Sequence, residues 1–179
     1  MKKYSFNGFT LVEIMVTIAI SAMAMTIGVV KYVDFNKTQT IKSAGLILKN
    51  NLRDIQTKAA TGVKPVTAIC NDPATLEGYL VTFNSRTQYQ SEAQCSVDKP
   101  SGTIVTYDLT ELTPGTYFPA TLPGTFLFKV LGNGTDVART IILQNDLTTP
   151  TKWYSLCVAT SGEIVDCGYS TSTPSCTCT

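Results

Sequence analysis

One carboxylate stands at the head of a long uncharged apolar run, and this combination constrains the chain more than any other feature. Glu13 is followed by Ile14 to Val30, a stretch without Asp, Glu, Lys or Arg. A charge at the centre of a membrane helix costs about 2.5–3.5 kcal/mol. A chain that keeps an acid at the edge of such a run has a partner for it, or leaves it at the interface. The residues before are polar and basic, Met1-Lys-Lys-Tyr-Ser-Phe-Asn-Gly8, and Phe9-Thr-Leu-Val-Glu13 joins the two parts. The uncharged run is slightly short of the ~20 residues that span a bilayer, and Phe9 to Val12 extend it.

Residues from about Phe9 to Ala60 read as one helix in two halves. The first half is too uniformly apolar to show a face, as expected for a helix surrounded by lipid or by other apolar surfaces. The second is amphipathic. Ile41, Ala44, Leu48, Leu52, Ile55 and Ala59 recur at spacings of three or four, with Lys42, Lys49, Asn50, Arg53, Asp54 and Lys58 largely on other faces. That stripe is expected to lie against a sheet. Gly62 is a natural stop and Pro65 forbids continuation. At 1.5 Å per residue the helix would be roughly 75–80 Å long, so its first half is expected to project. No proline precedes Pro65, which leaves Gly28 as the one weak point of the apolar half.

From Val66 the pattern changes to short β-like runs separated by Gly, Pro, Asn and Asp. The expected strands are Val66–Cys70, Gly78–Phe83, Thr87–Gln90, Thr103–Tyr107, Phe126–Val130 and Arg139–Leu143. A final hairpin follows, Trp153–Val158 and Glu163–Cys167, turning at Thr160-Ser-Gly162. Asn133-Gly134 is a tight-turn signal. Leu112 to Gly124 holds Pro114, Pro119 and Pro123 and reads as a loop; Ser170 to Thr179 reads as a Thr/Ser-rich tail. The fold class is α+β: a long N-terminal helix packed on a C-terminal antiparallel β domain.

Composition excludes several functions. The net charge is +1 with 15% charged residues, so no basic nucleic-acid footprint is visible. Histidine is absent, which removes the commonest general base and the commonest nitrogen metal ligand. There is no Gly-x-Ser-x-Gly, P-loop or His-Glu-x-x-His motif. Asp72, Glu77, Asp108, Glu111, Asp136 and Asp146 lie beside turn residues and read as solvated loop acids rather than a calcium site. No cofactor, metal site or catalytic residue is expected. Asn36-Lys-Thr38 and Asn133-Gly-Thr135 match the glycosylation pattern, the second better explained by its turn. Trp153, Tyr154 and Tyr169 read as strand core before contact surface.

The six cysteines, Cys70, Cys95, Cys157, Cys167, Cys176 and Cys178, all follow the helix. An even count confined to one part of the chain reads as disulfides formed outside the cytosol, ahead of a zinc site. Fifteen pairings exist. Cys70 and Cys95 flank the Gly78–Phe83 strand and have no other cysteine near in sequence, so they are paired. Cys157 and Cys167 sit nearly opposite across the expected hairpin, within reach of the ~4.4–6.8 Å Cα window. A Cys176–Cys178 bridge would be a strained small ring. One tail thiol is therefore expected to take a hairpin cysteine, and the last four form one cluster pinning the tail.

The N-terminus resembles that of type IV pilins and pseudopilins: a short basic leader ending in Gly8, then Phe9, then Glu13 four residues on, then the apolar run. The resemblance implies a leader at 1–8 cut by prepilin peptidase between Gly8 and Phe9. It also implies N-methylation of the new amine, which keeps its positive charge. Phe9 and Glu13 would then serve assembly, Glu13 answering the amine of a neighbouring subunit. The expected organisation is leader 1–8, membrane or filament-core helix 9–35, amphipathic half 36–62 and β-rich domain 63–179. The order of later features, with Gly78-Tyr-Leu-Val-Thr-Phe83 and a terminal hairpin, is similar to H-type minor pseudopilins and related minor pilins.

Implied partners are prepilin peptidase, other pilin or pseudopilin subunits, an inner-membrane assembly platform and membrane lipid. The implied location is the inner membrane before assembly, with the β domain outside the cytoplasm, and a pilus or pseudopilus afterwards. Two other readings of the first thirty residues stand beside this one. One is a secretory signal with Lys2-Lys3, the Ile14–Ile20 core and Ala22-Met-Ala24 as cleavage site. The other is an uncleaved anchor. Either would make the chain a secreted or anchored β-domain adhesin that does not polymerise.

Overall fold

The stripe of Ile41, Ala44, Leu48, Leu52, Ile55 and Ala59 is almost completely removed from solvent, and the rest of the domain is built around it. The computed structural model describes residues 8–65, 70, 74–96, 104–145, 151–174 and 176–178. Helix α1 (Leu11–Ala60) continues through Gly28. Two compact units divide the chain, Met1–Lys37 and Thr38–Thr179.

In the second unit α1 ends as its sequence dictates. Gly62 adopts φ 63°. Its N–H donates to the Ala59 carbonyl and the Val63 N–H to the Lys58 carbonyl, at 3.0 and 3.1 Å. These two bonds form the Schellman closure that only a residue tolerant of positive φ completes cheaply.

Two four-stranded antiparallel sheets follow. The first runs β3-β2-β1-β5, from β1 (Leu76–Phe83), β2 (Gln88–Cys95), β3 (Val105–Asp108) and β5 (Phe126–Lys129). The second runs β4-β6-β7-β8, from β4 (Thr116–Tyr117), β6 (Arg139–Asn145), β7 (Trp153–Val158) and β8 (Ile164–Ser170). Helix α2 (Leu109–Leu112) is one turn between β3 and β4. The inward residues alternate as a pleat requires: Tyr79, Val81 and Phe83 on β1; Tyr89, Ala93 and Cys95 on β2; Ile141 and Leu143 on β6; Tyr154, Leu156 and Val158 on β7. With the α1 stripe they form one hydrophobic cluster. The fold is α+β, one long helix packed with an antiparallel β domain.

A short crossing joins the two sheets. Thr135 bridges to Phe128 beside β5, and its N–H and Oγ1 donate to the carbonyls of Thr160 and Ala159 after β7, at 2.9 and 2.8 Å. Gly134, at φ 75°, sits so close that a Cβ would overlap the Thr160 carbonyl oxygen. Gly45 is similar on the helix, where a Cβ would overlap the Tyr154 ring.

Several expectations need adjustment. Residues 66–69 of the expected first strand lie outside the described residues. β2 runs on to Cys95 rather than stopping at Gln90, because polar Ser91 and Glu92 still obey the alternation, Ser91 facing in. The expected loop 112–124 contains β4, whose Thr116 and Tyr117 pair with Asn145 and Gln144. Its prolines flank those two positions and do not occupy them. Cys157 does not face Cys167. The hairpin closes with Val158 opposite Ile164, which puts Cys157 opposite Val165. A bulge at Gly168, φ 81°, then interrupts the ladder.

The disulfides are Cys70–Cys95, Cys157–Cys178 and Cys167–Cys176, with Cα separations of 5.5, 5.5 and 5.9 Å. Both tail cysteines therefore take a hairpin partner. Thr140 Oγ1 also donates to the Cys176 carbonyl at 3.1 Å, so the tail reaches β6 and β7. This explains why Ser155 and Cys157, on the face of β7 away from the helix, are buried.

Two substitutions test this account with opposite signs. Gly134→Ala meets both the positive φ and the Thr160 overlap, and should lower unfolding free energy by roughly 2 kcal/mol or more. Leu131, at φ 58° and ψ 29°, is the one non-glycine residue at positive φ among the described residues. Its side chain is 75% exposed, so Leu131→Asn should raise stability by about 0.5–1 kcal/mol. Urea unfolding of the oxidised protein measures both.

Candidate functional site

The first unit presents a helix whose described apolar side chains lie in the open. Phe9, Leu11, Met15, Ile18, Ile20, Met23 and Met25 are each 62–78% exposed. α1 is long and apolar enough to cross a membrane, with a mean hydropathy of 2.0 over its most apolar window. Two of its hydroxyls are answered locally. Thr17 Oγ1 donates to the Ile14 carbonyl at 2.9 Å and Thr26 Oγ1 to the Met23 carbonyl at 2.8 Å. Serine and threonine hydroxyls are tolerated in hydrocarbon by this back-bonding.

Gly8 and Phe9 precede the first turn, and Phe9 is exposed. Glu13 lies within that turn. Its N–H donates to Thr10 Oγ1 at 3.3 Å, which makes Thr10 the N-cap and Glu13 the third helical residue. Thr10-Leu-Val-Glu13 is thus a Thr-x-x-Glu capping sequence, a signal readable from the residues themselves beside that of the lone acid. The carboxylate also lies at the positive end of the helix dipole. Among the described residues it makes no ion pair.

Residues 4–29 match the family model of the prokaryotic N-terminal methylation motif. This is the N-terminal motif of type IV pilins and pseudopilins. No curated protein and no solved structure matches the chain significantly. A pilin-type motif implies a structural rather than a catalytic protein, one that meets a prepilin peptidase and other subunits. The apolar helix at this N-terminus fits a membrane-anchored pilin.

Several titratable groups in the β domain of this pilin-like chain have structural roles. Asp108 caps α2: its Oδ1 accepts from Thr110 Oγ1 and N, and its Oδ2 from Gln88. Thr110 first, then Gln88, hold its pKa below the usual carboxylate range. Asp136 accepts from the Leu127 N–H at 2.7 Å. Asp72 and Asp146 lie outside the described residues. No group of three or more potential metal ligands occurs among the described residues.

The most connected cluster lies between α1 and β8. Lys49 Nζ is 3.0 Å from Asp166 Oδ2, the two side chains 17% and 26% exposed. Tyr154 Oη donates to the same carboxylate at 2.7 Å, and Gly168 N–H at 3.0 Å. Partial burial opposes ionisation of Asp166, but the bonds from Tyr154 and Lys49 outweigh it and its pKa is lowered. The Tyr154 hydroxyl shifts the other way, raised first by burial and then by Asp166. With its lone pairs filled by donors of the same domain, the cluster ties helix to sheet. Asn51 Nδ2 to Tyr89 Oη at 2.8 Å and Gln56 Nε2 to the Gly162 carbonyl at 2.8 Å do the same along the helix.

The sign of the pH effect follows. Folded Asp166 holds its proton more weakly than in the unfolded chain, so its contribution is complete above the unfolded pKa of ~3.9. It is lost as pH falls through the lowered folded value. Asp166→Asn should cost up to about 1 kcal/mol at neutral pH, a screened, partly exposed pair being worth no more. It should also flatten the fall in stability below about pH 4, measured by urea unfolding across that range.

Proposed function

We propose that this chain is a minor pilin or pseudopilin, cleaved by prepilin peptidase between Gly8 and Phe9 and assembled into a filament at the cell envelope. The observation that carries the reading is the methylation motif over residues 4–29, on a helix half whose described apolar side chains are exposed. Such a surface needs lipid or other helices around it. Cleavage removes Lys2 and Lys3 and leaves an amine at Phe9, and methylation keeps its charge. The Glu13 carboxylate, one helical turn away, then attracts the amine of an incoming subunit. In a low-dielectric surrounding that attraction is far stronger than in water. Extraction from the inner membrane is offset by this pair and by helix packing. The β domain stays outside the cytoplasm, where its disulfides form.

Two measurements decide. Mass spectrometry of the mature chain should find an N-methylated Phe9 at the N-terminus. An intact Met1, or a terminus after Ala24, would overturn the proposal in favour of an anchored or secreted β domain. Gly8 replaced by a bulkier residue should leave the precursor uncut. Glu13→Ala should insert and be processed normally yet reach the sheared filament fraction at a small fraction of the parental level. A non-polymerising anchor would tolerate that change, since it removes a charge from the membrane border.

A further inference from the structure

Leu131 is difficult to account for within its own domain. It sits in the short turn Val130–Gly132, in the left-handed region that disfavours a leucine, with its side chain 75% exposed. A strained backbone that presents an apolar side chain to solvent gains nothing from its own core. Two residues earlier Lys129 is exposed and makes no ion pair among the described residues. The turn thus presents an apolar tip beside a cation.

A groove of about 180 Å³ opens between α1, β3 and α2, lined by Ile47, Asn51, Tyr107, Leu109, Asp108 and Glu111 among others. That space is several times the ~30 Å³ share of a water. Ile47, Tyr107 and Leu109 give it an apolar and aromatic part, beside the polar Asn51, Thr106 and Thr113. On its rim Glu111 is exposed, and the bonds already made by Asp108 leave Glu111 as the acid open to a new partner.

Strand register shows that one molecule cannot use both features on itself. β5 and β3 are opposite edges of the first sheet, three strand spacings or about 14 Å apart. Lys129 lies opposite Gly78 on β1, whereas the groove lies beside Gln88 and Asp108, at the Phe83 end of that strand. Phe83 lies five steps along the strand from Gly78, about 17 Å. Tip and groove therefore occupy diagonal corners of the sheet. A contact between two different patches is heterologous, and repeats of it generate an open chain rather than a closed pair.

We propose that Leu131 of one copy of this chain inserts into the Ile47–Tyr107–Leu109 groove of the next, with Lys129 facing Glu111. The inference rests on the assembly reading above and adds a contact between β domains that the N-terminal helix does not supply.

The test uses the full chain in membranes and sheared filaments of cells that make it. A photoreactive phenylalanine analogue at position 131 should give a covalent dimer of this chain, with the crosslink mapping to residues 104–113. Crosslinks only to other proteins, crosslinks mapping elsewhere, or none at all would overturn the contact. Lys129→Glu and Glu111→Lys should each lower the assembled fraction about three- to fivefold, the scale of one exposed charge pair, and together should restore it. Failure of the double variant to recover would overturn the proposed pairing. Leu131→Asn controls for folding, since it relieves the backbone while removing the tip. It should retain normal disulfides and N-terminal processing yet assemble less, and unchanged assembly would count against the contact. Processing at Gly8 is read in every variant. Normal processing without the crosslink discards this contact alone, whereas absent processing discards the pilin reading.

Discussion

The domain depends on one strip of helix surface. Ile41, Ala44, Leu48, Leu52, Ile55 and Ala59 present a continuous apolar ridge, and both sheets bring their inward residues to it. Each sheet alone is small, and four short strands with one solvated face make a marginal structure. The helix supplies the missing second layer for both at once. Removing a large member such as Leu52 would therefore uncouple two sheets together, not merely open a cavity under one.

Polar ties fix the helix at set points along this ridge. Lys49 and Gln56 reach the β7–β8 hairpin, and Asn51 reaches Tyr89 in the other sheet. These bonds contribute less than the burial beneath them. Their role is registry: a sliding helix would keep its hydrophobic contacts in number but would lose every one of these partners. Gly45, pressed against the Tyr154 ring, adds a steric version of the same control.

Much of this architecture was legible in the sequence because its signals are periodic or local. The three-four spacing identified the buried stripe residue by residue, and Gly62 marked the helix end through its need for positive φ. The motif from Gly8 to Glu13 could be read because it is contiguous. Signals that depend on distant parts of the chain were harder to see. β4 is two residues long and exists only because β6 passes beside it. Cys157 pairs with Val165, two residues short of Cys167, and that register is set by the length of the turn and by the bulge before Gly168. Leu131 gave no sign at all, since an αL leucine has no sequence signature. The Thr10 cap was visible but overshadowed by the acid it accompanies.

The two threonines of the apolar helix half carry a further implication. Thr17 and Thr26 bond to carbonyls of their own helix, so neither depends on water or on a neighbouring protein for a partner. For these two hydroxyls it makes no difference which apolar medium surrounds the helix. Transfer from acyl chains to the flanks of other helices breaks neither hydrogen bond. The energetic difference between the two environments then reduces to packing and to the single charge at the head of the helix. On the proposed assembly, that leaves a balance fine enough for one ion pair to tip.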